Sequence, residues 1–154
     1  MTIRWLFAAI HLLALGIGLG AVWARGRALR GPLDTAGLRR VFHADGWWGL
    51  AAVLWIGTGL VRAFGGLEKG SAYYLHNHVF WIKMVLLLLI LVLEAGPMVT
   101  LARWRGLVAR GSLVDTRLSG RFGRISYVQA GLVVLMVLAA TAMARGYGAR
   151  PSGG

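Results

Sequence analysis

Five residues of this chain have types and positions that bear on chemistry: His11, Gly18, Arg62, Lys83 and Glu94. His11 stands inside an apolar run, and Gly18 follows seven residues later on nearly the same face of a helix. An imidazole facing a glycine leaves room for a flat ligand. A b-type haem between helices needs such a seat: an axial nitrogen, small residues packed close, and cations near an interface for its propionates. Arg62 and Lys83 fall in the same half of the membrane as His11 and are the cations expected there. Glu94, toward the other side, is placed to relay protons. On this basis His11 is the expected metal ligand and haem b the expected cofactor. Gly18, Arg62 and Lys83 complete its seat, and Glu94 and Lys83 are the expected catalytic groups. Each has a plainer counterpart. His11 can bond a neighbouring helix, Gly16, Gly18 and Gly20 can simply permit close packing, Lys83 can snorkel, and Glu94 can pair with Gln129, Tyr127 or a loop arginine.

Other chemistries are absent. The chain has no Cys, which excludes disulfides, thiolate ligands, iron–sulfur clusters and thiol catalysis. It has no Ser-His-Asp set, zinc motif, phosphate loop or carboxylate pair. His76 and His78 form a lone H-x-H in a loop, able to bind a metal as a pair but more often solvated, and His43 beside Asp45 reads as interfacial.

Positioning these residues requires membrane helices. Hydrophobic residues make up 58% of the chain and charged ones only 14%, against roughly 25% in a soluble domain. The run at 79–101 is long enough to cross a hydrocarbon core of about 30 Å, yet it holds Lys83 and Glu94. Eleven residues are about three whole turns, so the two share a face, roughly 16 Å apart along the axis. A charge at the bilayer centre costs at least ~2.5 kcal/mol, so that face looks into a bundle. Further spans are expected at 5–24, 47–64 and 125–144, with Gly96-Pro97 kinking or weakening the end of the third. The first resembles a signal peptide in length, but arginines follow it where a signal peptide carries its charge in front, so a retained helix is expected.

The net charge of +12 is concentrated between spans. The successive connections carry five arginines (Arg25, Arg27, Arg30, Arg39, Arg40), one Lys69, and six arginines from Arg103 to Arg124. Positive charge marks cytoplasmic connections, so four spans with both termini outside are expected, and anionic lipid is favoured over nucleic acid as the partner of the arginines. In the first connection, Asp34 and Thr35 are positioned to cap a short interfacial helix. Residues 1–145 then form one four-span domain and 146–154 a mobile tail. ARGRALRGPLDT (24–35) resembles ARWRGLVARGSLVDT (102–116), which fits either two repeated helical hairpins or two basic connections of convergent composition.

Nearly the whole chain resembles an uncharacterised family of small bacterial four-span membrane proteins, a domain of unknown function. The matching segments are AAIHLLALGIGLG, ADGWWGLAAVLWIGTGLVRAFGGLEKG, YYLHN, FWIKM and ISYVQAGLVVLMVLAATAMARG. More distantly, the layout resembles the membrane protoporphyrinogen oxidase family, four-span proteins that bind b-type haem. That family has a His in its first helix, and its third begins with an aromatic followed shortly by a Lys; His11 and Trp81-Ile82-Lys83 occupy these positions. The resemblance implies haem on His11 and a site role for Lys83. It departs in the further His residues that the family has near helix ends, where this chain has Glu94 and arginines.

The expectation is therefore an all-α, four-helix transmembrane bundle in a bacterial inner membrane with periplasmic termini. Its leading role would be a b-type haem oxidoreductase exchanging electrons with quinone or a porphyrin. The alternative is a cofactor-free accessory or scaffold subunit that contacts lipid and either a second copy or a larger complex. A transporter is the weaker third, since four spans enclose a path only as an oligomer.

Overall fold

The computed structural model describes residues 2–65 and 76–147. These form four helices: α1 (Thr2–Arg30), α2 (Thr35–Phe64), α3 (His78–Ala109) and α4 (Ser119–Ala144). All four are long and apolar enough to cross a membrane, and no more than 28% of the apolar window of any is buried inside the bundle. Much of the rest, including Leu12, Val53, Val85 and Leu138, is exposed. Burial in lipid accounts for this, because a bilayer removes the need to hide leucine inside protein.

Every helix outruns the hydrocarbon. The shortest has 26 residues and the longest 32, or roughly 39 to 48 Å. Several expected boundaries therefore move, α4 for one starting at Ser119 and not at 125. Arg25 lies inside α1 and not in the connection after it. The short helix expected after Asp34 is continuous with the second span: Asp34 caps it, accepting from the Gly37 amide at 2.7 Å, and α2 runs on to Phe64. The third helix continues through Pro97 to Ala109. Ala, Leu and Arg are good helix formers, so nothing in these segments stops the helix where the apolar run ends.

The closest helix pairs are α1 with α2, α1 with α4, and α3 with α4. At the α1–α4 crossing, Gly26 faces Gly123: a Cβ on Gly26 would come 3.1 Å from Tyr127 and 3.3 Å from the Gly123 carbonyl. Two apolar layers fill the interior. One holds Ala14, Val22, Trp55, Ile90 and Val133, with Trp48 at its edge; the other holds Leu29, Val41, Leu101, Trp104 and Phe122 at the arginine-rich end. A smaller cluster of Ala63 and Phe80, with Met84 and Met143 against it, closes the opposite end.

Asn77 caps α3, accepting from the Val79 amide at 2.9 Å, and also donates to the Tyr147 carbonyl at 3.4 Å, which ties the start of the expected tail to α3. The rest of that tail, 148–154, and most of the second connection, with Lys69, Tyr73 and Tyr74, lie outside the described residues.

Candidate functional site

Between the two apolar layers sits Arg25, fully buried. A guanidinium has five N–H donors in a planar fork and no acceptor. All five are used. Nε donates to Ser126 Oγ at 3.1 Å, and Nη1 donates to Asp45 Oδ1 at 2.8 Å and Glu94 Oε1 at 2.7 Å. Nη2 donates to Glu94 Oε2 at 2.7 Å and Gln129 Oε1 at 2.8 Å. One side chain of α1 thereby holds α2, α3 and α4.

Glu94 is matched as fully. Besides the two-pronged contact with Arg25, its Oε2 accepts from Trp48 Nε1 at 3.0 Å and from Gln129 Nε2 at 2.8 Å. Gln129 also donates to the Ile90 carbonyl at 3.2 Å. The second oxygen of Asp45 accepts from Arg105 Nη2 at 2.7 Å, and that same nitrogen caps the Phe42 carbonyl at 2.9 Å. Arg25, Asp45, Glu94 and Arg105 make a neutral set of two cations and two anions. Charges out of water need this matching, since an unpartnered one costs several kcal/mol. The Arg25 guanidinium also lies 5.9 Å from the Trp48 ring centroid.

His11 is elsewhere. It lies fourteen residues before Arg25, roughly 21 Å along α1. Its Nδ1 is 3.0 Å from Thr58 Oγ1, and the Thr58 hydroxyl is 2.6 Å from the Leu54 carbonyl. Gly59 admits the ring, because a Cβ there would come 3.1 Å from His11 Cε1. Arg62 follows Thr58 by one turn of α2, and Lys83 lies in the second turn of α3; both are half-buried at this end of the bundle. The expected residues thus divide: His11, Arg62 and Lys83 lie toward one end and Glu94 is locked to Arg25 toward the other. Gly18 lies between, and the space beside it is taken by Ala51 and Trp48, each 3.4 Å from where its Cβ would stand. Among the described residues no three His, Asp or Glu side chains gather as a metal site.

The sequence offered Glu94 a loop arginine without saying which, and Arg25 is the one that meets it. Asp45 read only as a neighbour of His43 and Arg105 only as loop charge. A signal was present in Glu94, which needs a cation at its depth, and in Ser126 and Gln129, three residues apart on one helix face. The resembling arginine segments are also not equivalent in use. Asp34 caps α2, whereas Asp115 bonds the exposed Arg117 and α4 begins without a side-chain cap.

Fold and site define a class: four-span helical membrane proteins held together by one buried arginine and its acids. Residues 3–148 match the family model described as predicted membrane protein (DUF2214), and the chain belongs to that family. No curated protein and no solved structure matches it, so the likeness to the haem-binding oxidases gains no support from comparison.

Proposed function

We propose that the protein is a cofactor-free accessory or scaffold subunit of a membrane complex, a rigid platform whose interior charges set helix register. The observation that carries this is the saturation of Arg25 and Glu94: five donors and a carboxylate with four hydrogen bonds hold all four helices at one point. A relay needs a side chain that can turn between partners, and Glu94 is gripped from three helices. We place the protein in a bacterial inner membrane with its arginine-rich end in the cytoplasm and both termini periplasmic, on the asymmetry of charge between connections. The test of function is mild-detergent extraction from native membranes after crosslinking. A discrete assembly well above the mass of one chain is expected; a lone bundle would overturn the reading. Orientation is tested separately. The absence of native Cys lets Ser112→Cys and Tyr147→Cys be labelled one at a time with an impermeant maleimide, and only the second is expected to react in intact cells.

A second reading, b-type haem on His11 with electron exchange to quinone or a porphyrin, is favoured by one observation. A hydroxyl has one proton, and Thr58 directs its own to the Leu54 carbonyl at the shorter distance. His11 Nδ1–H then donates to Thr58 Oγ1, a bond of the kind that orients a ligating imidazole. In this reading His11 would hold the iron, Arg62 and Lys83 would meet its propionates or a charged substrate, and the haem would supply one-electron chemistry. A near-stoichiometric Soret band that shifts on dithionite reduction and is lost in His11→Ala decides for it; a colourless protein from haem-replete cells decides against it.

A further inference from the structure

A groove of about 820 Å³ runs along the outer surface between α1 and α2, toward the arginine-rich end. Small residues line much of it, Gly20, Ala21 and Ala24 on α1 and Ala44 on α2. Trp23 and Trp47 line it; the first is held edge-on by Tyr127 at 4.8 Å and the second donates to His43 Nε2 at 3.1 Å. One end reaches Ile17, among apolar residues. The other carries Arg27, Arg39 and Arg40, all exposed, and none paired with an acid among the described residues. From Ile17 to Gly31 the groove follows α1 for roughly 21 Å, more than the ~15 Å that one leaflet contributes to the hydrocarbon core.

We propose that this groove binds one anionic glycerophospholipid, its phosphate on Arg27, Arg39 and Arg40 and an acyl chain along Gly20 and Ala24 toward Ile17. Charge complementarity selects the occupant. The groove is lined by three arginines and no acid, and Asp45, the acid nearest in sequence to His43, is turned to Arg25 and Arg105 inside the bundle. A second copy of this chain would bring three more arginines against these three. A soluble anion would use the cationic rim but not the apolar trough that Trp23 and Trp47 line. The inference does not depend on the accessory reading, since a haem protein could hold the same lipid.

The test is native mass spectrometry of the full chain after exchange into phosphatidylglycerol or phosphatidylcholine. Wild type is expected to retain one phosphatidylglycerol, at least about fivefold over phosphatidylcholine. Arg27→Gln/Arg39→Gln/Arg40→Gln should lower that retention roughly tenfold or more. Gly20→Phe should block the trough and lower it likewise while the bundle stays folded, because a Cβ there meets nothing within 4 Å. Arg121→Gln/Arg124→Gln, which alters exposed arginines outside the groove, should change nothing. Equal retention of the two lipids overturns the proposal. So does full retention in either groove variant, loss in the Arg121/Arg124 control equal to that in the triple variant, or a lipid-free dimer that Gly20→Phe dissociates.

Discussion

Arg25 and Glu94, 69 residues apart in sequence, meet through two parallel hydrogen bonds of 2.7 Å at the centre of the bundle. Such a fork-to-fork contact fixes orientation as well as distance, which a lysine cannot do. Removing the guanidinium while keeping volume, as in Arg25→Met, leaves two acids without their common partner. A loss of about 3–5 kcal/mol is expected, measured as unfolding in a denaturing detergent titration. Arg25→Lys should recover less than half of it. Full stability of Arg25→Met would show that the cluster does not hold the fold.

Glu94→Gln keeps the shape and one acceptor oxygen. As a lock component it should cost about 1.5–3 kcal/mol, the range for hydrogen bonds to charged groups. The loss should be non-additive with Gln129→Leu, since Gln129 both accepts from Arg25 and donates to Glu94. Additive losses in that cycle would mean that the two side chains act separately.

The α1–α4 crossing makes a contrast between glycines. Gly123→Val places a Cβ 2.7 Å from Arg30 Cγ, and it should separate the helices and cost about 1–3 kcal/mol. Gly46→Ala, in a helix interior where the new Cβ meets nothing within 4 Å, should be neutral or gain up to ~1 kcal/mol. Equal melting temperatures for the two variants would contradict the close approach of α1 to α4.

Thr58→Val deletes the hydroxyl beside His11 without changing shape. A loss of about 1 kcal/mol is expected for that bond. Under the haem reading the same change should also weaken pigment retention about 10–100-fold by releasing the ring orientation. A pigment insensitive to it would place the iron elsewhere.

In the connection between α3 and α4, the Arg117 side chain, with its backbone amide as a lesser cause, holds the Asp115 carboxyl below the usual carboxylate range. A group held lower in the folded state stabilises it above the unfolded pKa, and that contribution is lost as the pH falls through the folded value. The Asp115 carbon resonance should therefore titrate below that of a model peptide. Arg117→Gln should move the midpoint upward, and an unmoved midpoint would rule out the pair.

The spans were legible because length and hydropathy speak for themselves, and Gln129 could be matched to Glu94 by depth alone. Arg25 could not be. It precedes four more arginines, and at the end of an apolar run an arginine normally reaches for headgroups. Only the convergence of Asp45, Ser126 and Gln129 on one point distinguishes it. Helix ends were misplaced for a related reason: Leu29, Val41 and Trp104 are core residues set among arginines, so apolar packing continues past the apolar run.

The ionic lock has a consequence for biogenesis. Arg25 enters the membrane long before its partners are made. When α2 follows, it has Asp45; the second acid comes with α3, and Ser126 and Gln129, which take two of its five bonds, come only with α4. A nascent chain therefore holds an uncompensated cation only until α2 supplies Asp45, and unfilled guanidinium donors until α4 is made. The last helix thus brings no charge to the lock, only the two neutral acceptors that complete the Arg25 fork.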